Sequence, residues 1–162
     1  MQLHIKQKVF SIGDKFTITD ETGADRFYVE GEIFTFGKKL HIYDMSGREV
    51  AFIKQELLTF LPKFQIFRNG VQIAQIAKRL TLFAPAYEVS GLGWEVSGHF
   101  MEHDYCIKSG NRTVAVITKK WLAWSDTYTL DVPDPREAEY ALAVVLTIDC
   151  VMDAQQAHNN SN

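Results

Sequence analysis

Apolar and polar residues alternate in short runs along most of the chain. Phe16/Ile18, Leu40/Ile42, Phe64/Ile66, Tyr87/Val89 and Val114/Val116 are each spaced by two, the period of a strand with one buried face. Turn signals separate the runs: Asp20-Glu21-Thr22-Gly23, Asp44-Met45-Ser46-Gly47, Arg68-Asn69-Gly70, Ser90-Gly91-Leu92-Gly93 and Ser109-Gly110-Asn111. Gly and Asn there supply the positive φ that tight hairpins need.

The runs repeat. Ile5 to Ile18, set against Ile53 to Ile66, matches at six of 14 positions. Phe36 to Ile42 lies one half-period, 24 residues, before Phe60 to Ile66. Phe83, Pro85 and Tyr87 match Phe60, Pro62 and Phe64, and Trp124 and Tyr128 hold the same places in the last copy. An anchor residue recurs as Phe16, Leu40, Phe64, Tyr87, Tyr105 and Tyr128, at spacings of 24, 24, 23, 18 and 23. Each copy holds two strands, so six copies predict about twelve consecutive antiparallel strands over 4–132. An open sandwich is the alternative.

The pattern changes at 134–157, where the spacing predicts a helix. Asp134 is the N-cap candidate, Pro135 takes the first helical position, and Glu137 completes a capping-box pattern. From Tyr140 to Met152 the segment is apolar nearly all round, as a helix buried on every side is. Leu142, Val145, Leu146, Ile148 and Met152 are its expected core contacts. About 20 residues span roughly 30 Å. Twelve strands make a barrel wider than the roughly eight whose own side chains fill it, which leaves room for one helix. The predicted fold is therefore mainly β (α+β): a twelve-stranded antiparallel barrel of six hairpin repeats enclosing a hydrophobic C-terminal helix. It forms one domain, 1–157, with a frayed polar tail at 158–162. Asp149 is the anomaly, needing a partner or a place near solvent.

Composition adds little. Lys and Arg number 17 against 20 Asp and Glu, a net charge of −3, which does not point to nucleic acid. The acidic excess sits at 133–162, where Arg136 stands against Asp134, Glu137, Glu139, Asp149 and Asp153. Cys106 and Cys150, one in a strand and one in the helix, make no disulfide framework and suit a reducing cytosol. The N-terminus lacks the apolar core of a signal peptide, and the run Ala141 to Leu146 is too short to span a bilayer. The expectation is a cytoplasmic monomer, peripheral to a membrane if it meets one.

Lys6-Gln7-Lys8-Val9-Phe10-Ser11-Ile12-Gly13-Asp14-Lys15-Phe16, Tyr28-Val29-Glu30-Gly31, Leu40-His41-Ile42-Tyr43-Asp44, Ile53-Lys54-Gln55 and Leu61-Pro62 resemble the LURP-one-related (LOR) family, specifically its bacterial YxjI-like members. The resemblance covers essentially the whole chain and rests on turns, anchors and strand ends. It implies the tubby C-terminal-like architecture shared with phospholipid scramblases, and lipid contact as one direction for function. It brings no catalytic residues and no cofactor. No segment of this sequence reads as the transmembrane tail of membrane-anchored scramblases, so such an anchor is not expected.

Chemistry-bearing clusters are few. His99, His103 and Cys106 include zinc-ligand types, but in a strand His99 and His103 share one face and Cys106 the other, so an irregular repeat is the plainer reading. Gly91-Leu92-Gly93-Trp94 lacks the following helix of a dinucleotide loop. No nucleophile elbow, P-loop or His-Glu-x-x-His occurs. The basic pairs Lys38-Lys39, Lys78-Arg79 and Lys119-Lys120, with Trp121 and Trp124, are candidates for acidic lipid headgroups. Otherwise they are lysines guarding strand edges. Three readings stay open: a non-enzymatic module binding acidic lipid or a protein partner on the barrel exterior, a scaffold without small ligand, and an enzyme.

Overall fold

The computed structural model describes residues 1–6, 15–33, 35–120 and 127–160, with the side chain of Lys120 outside that description. Twelve strands follow one another: β1 (Gln2–Lys6), β2 (Lys15–Asp20), β3 (Asp25–Gly31), β4 (Lys39–Asp44), β5 (Glu49–Gln55), β6 (Lys63–Arg68), β7 (Val71–Arg79), β8 (Ala86–Ser90), β9 (Glu95–His99), β10 (Asp104–Ser109), β11 (Arg112–Lys120) and β12 (Thr127–Asp131). Helix α1 (Ala138–Asn160) ends the chain.

All twelve strands form one antiparallel sheet in which β1 pairs with β12, so the sheet nearly closes into a barrel. The seam falls between β8 and β9, which are joined by the Gly91-Leu92-Gly93-Trp94 loop but share no ladder. The hairpin turn that its glycines predict is therefore not formed there, although the loop does reverse the chain. Glycines fit the seam: a Cβ on Gly98 (φ +135°) would stand 2.6 Å from the Asp104 carbonyl oxygen, and one on Gly91 (φ +102°) 2.4 Å from that of Ile73.

The six anchors all point inward and are buried, as are Leu3, Ile5, Ile18, Ile42, Ile66 and Ile117. Val116 departs from the expected alternation. A bulge in the β10–β11 ladder leaves Val114 as an extra residue, so Val114 and Ala115 are both buried and Val116 faces out.

Helix α1 is buried on every side from Ala141 to Met152, including Leu142, Val145, Leu146, Ile148 and Met152. It packs nearest β5, β6 and β7, and on another side Asp149 reaches β12. The helix extends to Asn160, past the expected end at 157. Its start also differs. Pro135–Glu137 is a single 3-10 turn, Asp134 accepts from the Arg136 N–H at 3.0 Å, and the Glu137 carboxylate turns to Arg112 instead of closing a capping box.

Candidate functional site

Because the strands form a meander, alternate connections collect at opposite ends. The connections after β2, β4, β6, β8 and β10 are tight turns, and the helix enters at that end. The connections after β3, β5 and β7 form the other end, around the helix C-terminus, with the 3-10 turn Phe100–Glu102 after β9.

The basic residues divide between the ends. Among the described residues every lysine except Lys108 lies at the loop end, at a strand terminus or beside one. Every arginine except Arg79 lies at the tight-turn end.

Of the five arginines there, all but Arg26 are engaged among the described residues. Arg48 and Arg68 both reach the Glu139 carboxylate at 2.7 Å, and Arg112 grips Glu137 at 2.6 and 2.9 Å. Three hairpins are thus pinned to the start of the helix. Arg68 also lies over the Tyr140 ring, 4.7 Å from its centroid. The Asp44 carboxyl, hydrogen-bonded by Ser46 and Arg48, is held down at about 2.

The sequence candidates gather at the loop end. Lys38 and Lys39 open β4, Lys78 and Arg79 close β7, and Lys119 and Lys120 close β11. Trp121 and Trp124 lie outside the described residues. Lys38 pairs with Asp153 of the helix at 3.1 Å and Lys39 with Glu32 at 3.0 Å. Lys54, Lys78 and Arg79 make no ion pair among the described residues. Lys78 walls a cleft of about 240 Å³ between the 56–62 loop and the last turns of the helix, beside Leu58, Phe60 and His158.

Large apolar side chains stand exposed on these loops: Ile33 and Phe36 after β3, Leu57, Leu58 and Phe60 after β5, and Leu80, Leu82 and Phe83 after β7. At the tight-turn end only Met45 and Val71 are comparable among the described residues.

The outer wall of β3 to β6 carries an aromatic ladder of Tyr28, Tyr43, His41, Phe52 and Phe67, with neighbouring centroids 4.6–6.0 Å apart. The rings of Tyr28, Tyr43, His41 and Phe52 stack one on the next. His41 sits between Glu49 (2.6 Å) and Glu32 (2.9 Å). Burial pulls its pKa down, but hydrogen bonds to Glu49 and Glu32 outweigh that and leave it raised. Those from His41 and Lys39 lower Glu32.

Asp149 finds its partners inside the barrel. Tyr128 donates to one carboxylate oxygen at 2.5 Å, and His103 Nε2 lies 3.2 Å from the other. Burial and the nearby carboxylate push the Tyr128 and Tyr105 phenols well up, and burial pushes the Cys150 thiol to about 12. The segment 99–106 is an irregular stretch, the plainer of the two readings of its sequence, and not one strand. The 3-10 turn intervenes, and His103 takes a left-handed conformation (φ 50°) that turns its ring inward. His99 stays exposed beside Glu102, and Cys106 lies 3.5 Å from the Ser97 hydroxyl. His99, His103 and Cys106 do not converge, and among the described residues no group of three or more His, Cys, Asp or Glu is arranged to hold a metal. No described helix is long and apolar enough to cross a membrane.

The LURP-one-related family model matches residues 1–150. The uncharacterized protein YxjI of Bacillus subtilis (strain 168) is 32% identical over 152 residues, covering 94% of each chain. A solved X-ray structure of an Arabidopsis thaliana protein superposes with a TM-score of 0.61 at 20% identity, over 90% of this chain and 87% of that one, a likeness of fold.

Proposed function

The chain belongs to the LURP-one-related family, and we propose that this member is a non-enzymatic binding module that docks on anionic membrane surfaces with its loop end. The observation that carries this reading is the sorting of lysines to one end of the barrel, where Lys54, Lys78 and Arg79 are not neutralised by partners among the described residues. A basic side chain near an anionic leaflet contributes about 1 kcal/mol, and several on one rim act together. The acidic tight-turn end then faces away from the surface. The non-enzymatic reading is supported by the Asp149–His103–Tyr128 cluster, whose members are each almost fully buried, with His103 and Tyr128 both on the Asp149 carboxylate.

Co-sedimentation with vesicles tests the proposal. Binding is expected to phosphatidylserine-containing or phosphoinositide-containing vesicles over pure phosphatidylcholine, falling as salt rises. Charge reversal in K78E/R79E is expected to weaken it, while K108E at the other end leaves it unchanged. Indifference to lipid charge in the wild type, or equal losses in both variants, overturns the reading.

A further inference from the structure

The internal repeat holds a second regularity besides its buried anchors. Four positions before each anchor stands a large apolar residue: Ile12, Phe36, Phe60, Phe83, Met101 and Trp124. Ile12 and Trp124 lie outside the described residues. The other four are exposed, Phe36 at 92%, Phe60 at 89%, Phe83 at 98% and Met101 at 53%. Core packing explains the anchors and cannot explain these. Four of four described copies place an apolar side chain in solvent, at the same end. Leu58 adds to them. It adopts a left-handed backbone (φ 60°), uncommon for leucine, with its side chain fully exposed. Contiguous exposed apolar surface rimmed by polar groups marks a binding face. Here basic residues rim it: Lys54, Lys78 and Arg79 lie at the strand ends just below the loops, beside Lys63, which pairs with Glu56.

Apolar tips above a collar of lysines match the layering of a bilayer leaflet, where hydrocarbon lies beneath anionic phosphate. A second copy of this chain would bring lysine collar against lysine collar. We infer that the loop tips Phe36, Leu58, Phe60 and Phe83 insert into the hydrocarbon of a membrane leaflet, so that the barrel stands end-on with its axis along the membrane normal. This rests on the proposed docking reading and adds a salt-resistant apolar component to it.

The test uses the full chain, phosphatidylcholine vesicles and 0.5 M salt, conditions in which headgroup charge contributes little. The wild type is expected to retain measurable partitioning. Each of F36S, F60S and F83S should weaken it about tenfold, in line with the transfer of one large apolar side chain. M45S and V71S, at the opposite end, serve as controls and should leave it unchanged. In F83W, quenching of indole emission by lipids brominated near the head of the acyl chain should exceed that of the wild type, which carries Trp94, Trp121 and Trp124. Equal binding by wild type and the F36S/F60S/F83S variant overturns the inference, and so does F83W quenched no more than the wild type. Self-association of the wild type that the triple variant abolishes, with no vesicle binding by either, assigns the face to a second copy and also overturns it. The two readings fail differently. If only the charge reading is wrong, neutral and anionic vesicles bind equally and the serine variants still lose both. If only insertion is wrong, binding is wholly anionic and salt-sensitive, and the serine variants behave as wild type.

Discussion

At the tight-turn end of the barrel, Arg48, Arg68 and Arg112 are drawn onto two glutamates at the start of the helix. At the loop end, Lys54, Lys78 and Arg79 have no ion partner among the described residues, and Phe36, Phe60 and Phe83 stand in solvent. Guanidinium is a planar fork that matches a carboxylate, and at the tight-turn end it orders Glu137 and Glu139. Lys15, Lys38, Lys39 and Lys63 at the loop end also pair with carboxylates, so the contrast rests on Lys54, Lys78 and Arg79. One end uses charge to close the architecture. The other leaves charge and apolar surface available together. Both ends depend on one helix running between them, and the strongest tests start there.

Leu146 is fully buried midway along that helix. L146D would place an unpaired charge inside the barrel, with an expected loss of more than about 4 kcal/mol. The outcome should be insoluble protein, or a molten state that keeps far-UV dichroism and loses the near-UV signal. A well-folded L146D protein would take the helix out of the interior and leave the two ends unconnected. The next largest effect should come from D149A, which strands the Tyr128 hydroxyl and His103 in the core. About 3 kcal/mol is expected from urea denaturation. Y128F leaves one oxygen of the buried Asp149 carboxylate without its donor, so it should be destabilising as well.

The fold was legible because two periodicities overlap. Alternation by two marked the strands, the 24-residue register counted them, and a segment apolar on all sides could only be a buried helix. What escaped depends on contacts distant in sequence. Nothing in the sequence around Asp149 identifies His103, which arrives from a one-turn helix that breaks the strand pattern. The Arg48–Glu139 and Arg112–Glu137 pairs are likewise set by where hairpins meet the helix. The basic pairs were visible as candidates, but their gathering at one end needed the meander. Phe36, Phe60 and Phe83 carried a usable signal. They recur in register yet fall on connections between strands, where alternation gives them no buried face.

At the tight-turn end, E139A removes the shared acceptor of Arg48 and Arg68. The pair is partly exposed, so about 1 kcal/mol is expected, visible as a lower denaturation midpoint. K54A and K78A at the loop end should stay within about 0.5 kcal/mol of wild type. Equal losses at both ends would erase the contrast.

His41 joins the two ends along the outer wall, holding Glu32 at the root of a loop and Glu49 beyond a tight turn. Its folded pKa is raised above the ordinary 6.5. The stability it supplies is therefore complete below 6.5 and lost as pH rises through the folded value. Glu32 is lowered, so its share is present above its ordinary 4.5 and lost as pH falls through the folded value. Denaturation midpoints should decline on the alkaline side of 6.5, and H41F, which keeps a ring in the ladder, should flatten that decline. An unchanged slope in H41F would place the titration elsewhere.

The smallest effect is the most telling one. F36S, F60S and F83S should each leave stability within about 0.5 kcal/mol of wild type, because side chains this exposed have little burial to lose. A buried phenylalanine costs about 3–5 kcal/mol when truncated to alanine. A loss above about 1 kcal/mol in any serine variant would mean that these rings pack against the barrel in solution. The loop end would then be as self-satisfied as the tight-turn end. Unchanged midpoints would instead leave three aromatic rings that the fold does not use, placed on the rim where the lysines collect.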